Sequence, residues 1–107
     1  MAAVFQATAQ TTYTWNLAGG GNWATATNWT PSRSAPATND ILVINNGGTK
    51  TITNVSTQTI GRLVIGGATN VTLTPNGAAR TLTISNTGSA LEVQSGSSLE
   101  LVGQSGG

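Results

Sequence analysis

From Ile41 onward the chain repeats one short phrase: two apolar residues flank a single outward residue, and a turn follows. The apolar pairs are Leu42/Ile44, Leu63/Ile65, Val71/Leu73, Leu82/Ile84, Leu91/Val93 and Leu99/Leu101, with Ile52 and Ile60 filling the gap after the first. Alternation with period two predicts short strands that bury one face. The breaks at Asn45–Gly48, Gly66–Asn70, Pro75–Gly77, Ser85–Gly88 and Ser95–Ser98 supply Gly, Asn, Ser or Pro where backbone must bend. Upstream, Gln10–Trp15 is β-branched and aromatic, and predicts a further strand.

Spacing then bears on topology. The pairs advance by about 8 to 11 residues and every second pair by roughly 17 to 21, within the range of solenoid coils. A meander sandwich places strands at about the same intervals. Outward positions that are almost all Thr, Ser, Asn or Gln suit ladders between stacked coils, and the body after Asp40 has no aromatic residue for a sandwich core. The fold expected is all-β: a single right-handed parallel β-solenoid with an aromatic N-terminal cap. An antiparallel β-sandwich is the alternative.

All three tryptophans, Trp15, Trp23 and Trp29, lie in residues 14–40. Gly19-Gly20-Gly21 is expected to interrupt regular structure and to permit positive φ. Asn22 and Asn28 each precede a tryptophan, as turn residues that present an indole. Ala24–Thr27 fits a short helical turn or a tight loop. Pro31 and Pro36 fix an irregular connection to Asp40. Stacked strands expose apolar core and unpaired edges at their ends, so residues 14–40 read as a cap, residues 41–103 as coils and residues 104–107 as a tail. Residues 1–13 read either as a signal-peptide remnant, from Ala7-Thr8-Ala9 before Gln10, or as the first strand. At the far end Leu99-Glu100-Leu101-Val102 runs into a Gly/Ser tail with no comparable cover. The chain is therefore expected to be a piece of a longer protein, or to associate end to end through Leu99, Leu101 and Val102.

Composition narrows the chemistry. In 107 residues charged side chains are 7% and the net charge is +1, from Arg33, Lys50, Arg62 and Arg80 set far apart. Nucleic acid and anionic membrane both require clustered cations. Without Cys or His there is no thiol chemistry and the commonest metal ligand is missing. The acids are Asp40, Glu92 and Glu100. Asp40 reads as a turn residue accepting backbone N–H groups, and the two glutamates as solvated outward positions rather than a catalytic pair. Gly19–Gly21 lacks the context of a phosphate loop, and the three Asn-x-Ser/Thr sequons arise by chance in so Thr/Asn-rich a chain. No enzyme, cofactor or metal is expected.

Taken together, Thr14-Trp15-Asn16, Gly21-Asn22-Trp23, Thr27-Asn28-Trp29-Thr30, the run from Pro36 through Asp40 to Ile44, Arg62–Ala68 and Ser95–Leu101 follow one order. That order resembles the opening β-solenoid segment of large secreted, adhesin-like surface proteins of Bacteroidetes type, which use the type IX secretion route. It is similar as well to autotransporter-associated β-strand repeats. The resemblance covers roughly residues 14–103. It implies an exported, extracellular or cell-surface module that serves as a stalk or adhesin segment. Implied partners are other copies of the chain or further domains of a longer parent. The alternative is a carbohydrate-binding module for surface polysaccharide, with Trp15, Trp23 and Trp29 stacking on sugar rings beside Asn22 and Asn28.

Overall fold

The computed structural model describes residues 10–86 and 88–102. The chain opens with β1 (Thr12–Trp15), β2 (Gly21–Asn22), a 3-10 turn at Ala26–Asn28 and β3 (Trp29–Thr30). Then follow β4 (Ile41–Ile44), β5 (Gly48–Val55), β6 (Gln58–Ile60), β7 (Arg62–Ile65), β8 (Thr69–Pro75), β9 (Leu82–Ile84), β10 (Leu91–Val93) and β11 (Ser98–Leu101). Each apolar pair of the repeating phrase lies on one of these strands, as alternation requires.

The strands form three sheets: β3-β1-β4-β7-β10, β2-β5-β8-β11 and β6-β9. From β4 on, the chain visits the three in rotation, so consecutive strands are never paired with each other. Each pairs in parallel with its counterpart one pass later, for example Leu42 with Leu63 and Leu63 with Leu91. Ile52 likewise meets Leu73, which meets Leu101.

The expected single parallel β-solenoid is overturned. The strands lie in three separate sheets of five, four and two strands, and the largest is mixed because β3 runs antiparallel to β1. The cause lies in the first pass. After β2 the chain turns back through the 3-10 turn and pairs with β1, so no strand of that pass joins the third sheet and no closed coil forms. The separate sheets are sandwich-like, as the alternative had it, but among the described residues the antiparallel pairing it called for is confined to β1–β3. The repeating phrase specifies which face of each strand is buried; it carries no information about closure. The expected signal remnant and the 104–107 tail fall outside the described residues, and β1 starts at Thr12.

Two backbone details hold the stack together. A Cβ on Gly20 would fall 1.8 Å from the carbonyl oxygen of Thr51, so β5 passes directly over the glycine stretch. Close approach, and not the expected positive φ, is what that residue supplies; Gly21, expected outside regular structure, begins β2. Asn54 has φ 62° at the point where the β5–β8 register shifts between Ile52 and Val55, a left-handed bulge that asparagine tolerates.

Burial is lost at the last described strand of each of the two larger sheets. Leu63 is fully buried and Leu91, its partner on the last strand, is 50% exposed; Leu73 at 4% is followed by Leu101 at 67%. The gradient sets the energetic expectation. Leu63→Ala should cost about 2–5 kcal/mol by urea denaturation, and Leu91→Ala less than about 1.5 kcal/mol. Equal losses would show that the end strand is covered in solution.

Candidate functional site

The tryptophans are brought together, and inward. Trp15 and Trp29 face each other across the antiparallel β1–β3 pair, with ring centroids 5.0 Å apart and nearly perpendicular planes. Trp23 meets Trp29 in the same edge-on manner at 5.3 Å. Such T-shaped contacts set the positive ring edge against the negative face. All three are at most 2% exposed, and each indole N–H is satisfied. Trp15 donates to Gly19 O at 3.1 Å, Trp29 to Trp23 O at 2.9 Å and Trp23 to Gln58 Oε1 at 3.2 Å. Gly21 leaves room for the cluster, since a Cβ there would lie 2.7 Å from Leu17 Cδ1 and 3.5 Å from the Trp15 ring.

The amides proposed as sugar partners bind the cap itself. Asn28 Nδ2 donates to Asn22 O, while Asn22 Oδ1 accepts from Ala24 N–H and from Asn54 Nδ2. Asn16 Nδ2 bonds Thr27 O, and Thr30 Oγ1 donates to Asn16 Oδ1. With no ring face open to solvent, this arrangement offers no stacking platform.

Beneath the cap lies a buried polar group that the sequence did not reveal. Arg33, from the proline-bounded loop, pairs with Asp40 at 2.9 Å, both side chains at most 3% exposed. Asp40 Oδ2 also accepts Ala37 N–H, as a turn residue would, and Arg33 Nη1 reaches Gln58 Oε1. Gln58 thus receives both Trp23 and Arg33, tying loop and cap to β6. The guanidinium stands 5.9 Å from the Tyr13 ring centroid, within cation–π reach.

Lys50 is the second such group. It occupies an inward position of β5, 1% exposed, in the column of Val71 and Leu99. Its Nζ donates to Asn46 Oδ1 at 2.5 Å, Gly47 O at 2.9 Å and Ala18 O at 3.1 Å, with Leu17 O at 3.5 Å. No carboxylate is among these acceptors. Removal from water disfavours the ammonium and holds its pKa below the ordinary 10.5. A lysine within a polar stretch reads from sequence as surface, yet the alternation with Ile52 and the strand partner Val71 both place it inward.

The opposite end of the stack is unlike the cap. Among the described residues, the outer edges of β9, β10 and β11 have no strand neighbour. Leu101 and Val102, expected as association residues, are exposed, together with Leu91 and Val93, and Leu99 is half-buried. A shallow cavity of about 120 Å³ opens here between Leu73, Leu82, Leu101 and Val102, with Arg80 on its lining. Glu92 pairs with Arg62 at 2.9 Å and accepts from Gln94, whereas Glu100 makes no contact with a partner among the described residues. Eight residues apart in sequence, the two glutamates sit on different sheets. Among the described residues no group of three acidic, His or Cys side chains is placed to hold a metal.

No family model, curated protein or solved structure matches the chain.

Two outcomes follow from the buried groups. Trp29→Ala should cost about 3–5 kcal/mol, read from the urea midpoint, because Trp29 joins both other indoles. For Lys50, the folded-state pKa lies below the unfolded one, so between the two values the unfolded chain binds more protons and stability rises with pH. The urea midpoint of the wild-type chain should therefore climb relative to Lys50→Met as pH is raised from neutral to 10.5. A constant difference would show that burial does not depress the ammonium.

Proposed function

We propose that this chain is a non-catalytic structural or adhesive module of an exported bacterial surface protein, a stalk or adhesin segment that presents its open strand edge for attachment. The observation that carries this reading is the contrast between its ends. One is sealed by three hydrogen-bonded tryptophans; at the other, apolar side chains are exposed on β10 and β11, whose outer edges have no neighbour among the described residues. A stack with one sealed and one open end suits a building unit joined to something else through its edge. The charged groups support the same reading. Arg33 and Asp40 neutralise each other inside the protein, Lys50 is enclosed by neutral oxygens, and Glu92 is held by Arg62. None of these stands free beside a second group with which it would share a proton or a substrate. The resemblance to adhesin-like surface proteins points to the outside of the cell.

The carbohydrate-binding alternative needs an exposed indole, which makes tryptophan fluorescence decisive between the two. The expected emission is blue-shifted, weakly quenched by acrylamide and unchanged by a panel of surface polysaccharides. Red-shifted emission that acrylamide quenches and a glycan protects would overturn the structural reading.

A further inference from the structure

Asparagine is followed directly by glycine at two places in the chain, Asn46-Gly47 and Asn76-Gly77. The first lies in the turn between β4 and β5, the second in the turn after β8. Such a step is open to a self-reaction, in which the glycine nitrogen attacks the side-chain carbonyl carbon of the asparagine; glycine permits it because no Cβ stands in the way. The two steps sit in opposite circumstances.

Asn46 is held at both ends of its amide. Its Nδ2 donates to Leu17 O at 2.7 Å, and its Oδ1 accepts from the Lys50 ammonium at 2.5 Å. The nitrogen that would attack, Gly47 N, donates at 2.8 Å to Oγ1 of Thr69, a fully buried residue at the start of β8. Lys50 also bonds Gly47 O. Donation of a proton to Oδ1 would by itself make the carbonyl carbon more electrophilic. Geometry wins over that effect, because Gly47 N is fixed on Thr69 and ring closure would break bonds at both residues.

Asn76 has none of these restraints. It is exposed, and its side-chain amide has no hydrogen-bond partner among the described residues. Only its backbone is engaged, through Asn76 N to Val55 O at 2.9 Å, and through Ala78 N at 2.8 Å and Arg80 Nε at 3.0 Å to Asn76 O. Gly77 N donates to Pro75 O at 3.1 Å, a bond internal to the turn. Gly77 has φ 68°, and a Cβ built on it would meet nothing within 4 Å, so this peptide has room to rotate.

We propose that Asn76 is a site of spontaneous covalent modification, and that Lys50 and Thr69 guard Asn46 against the same change. Gly77 N gives its proton to hydroxide and bonds to Cγ of Asn76, while Nδ2 takes up a proton and leaves as ammonia, closing a succinimide. Water then adds to one of the ring's two carbonyl carbons. Cleavage between the ring nitrogen and Cγ gives aspartate, and cleavage between that nitrogen and the main-chain carbonyl carbon gives isoaspartate. No oxidant or reductant takes part. Either product replaces a neutral amide by a carboxylate, and the one added negative charge takes the net charge from +1 to 0. Isoaspartate also reroutes the backbone through the side chain and lengthens the turn between β8 and β9.

The test incubates the whole folded chain in mildly alkaline buffer and maps its peptides by mass spectrometry, with fragmentation that separates isoaspartate from aspartate. Asn76 should convert about ten- to a hundredfold faster than Asn46, since ring closure at Asn46 gives up bonds outside its own turn. In urea the two should convert at similar rates, both being then ordinary Asn-Gly steps. Thr69→Val, which keeps a similar shape and removes the acceptor of Gly47 N, should speed Asn46 by about three- to tenfold and leave Asn76 unchanged. Lys50→Met, checked for native circular dichroism, should act in the same direction. Equal rates in the folded chain, or faster conversion of Asn46, would overturn the proposal. So would an Asn76 rate far slower in the folded chain than in urea, because the turn would then be protecting it. An Asn46 rate that neither variant changes would overturn the guarding role of Lys50 and Thr69.

Discussion

The indole of Trp29 is the contact on which the first layer depends. It lies edge-on to both Trp15 and Trp23 and donates its N–H to the backbone of Trp23. Removing it would separate the antiparallel β1–β3 pair from the turn that follows β2. A stack of parallel strands has no intrinsic way to end, because each layer is stabilised only by its neighbours. Here the chain ends it by reversing direction, so that β3 occupies the outer edge of β1 and three large rings take the place of a preceding layer. Dispersion and apolar burial by those rings would be undone by any unsatisfied indole N–H, which is why each has an acceptor within 3.2 Å.

Polar groups inside the protein follow from the same end condition. Gln58 begins a strand of the third sheet, whose other member among the described residues is β9. The cap and the 31–40 loop lie against this strand, and Gln58 Oε1 accepts from Trp23 and from Arg33. The Arg33–Asp40 pair is of the kind that contributes little net stability against an apolar replacement but fixes one arrangement of a loop. Lys50 plays the comparable part on the second sheet. Its long stem fills a column continued by Val71 and Leu99, while its ammonium joins the turns at 17–18 and 46–47. Both devices lie at the capped end, beside the first described strands.

Strand positions, turns and buried faces were legible in the sequence, since Leu42/Ile44, Leu63/Ile65 and their successors need only period-two alternation to be recognised. Closure was not. Whether successive passes form one coil or three sheets with a reversed first pass is decided by β3, two residues whose signal is Trp29 alone. The tryptophans were legible as a cluster, but their orientation depended on partners as remote as Gln58. Arg33 and Lys50 were illegible because burial of a cation is set by what crosses over it: the cap and Gln58 in one case, the Leu17–Ala18 turn in the other. Leu99, Leu101 and Val102 were singled out in the sequence as association candidates; among the described residues they lie on or just after the last strand of the second sheet, and Leu101 and Val102 are exposed. Leu91 and Val93 belong to the same edge and were missed, because the sequence does not show that β10 is also the last strand of its sheet.

Asymmetry between the ends limits what assembly can follow. Head-to-tail growth requires two complementary surfaces on one chain. The capped end carries Asn16, Asn22 and Thr30 at its surface, their side chains engaged or capable of bonding within the cap, and its apolar rings face inward. The three indoles offer no outward face to the leucines and valines exposed at the far edge. The fold has a fixed polarity: the tryptophans close one end, and the strands farthest from them carry the most exposed apolar side chains.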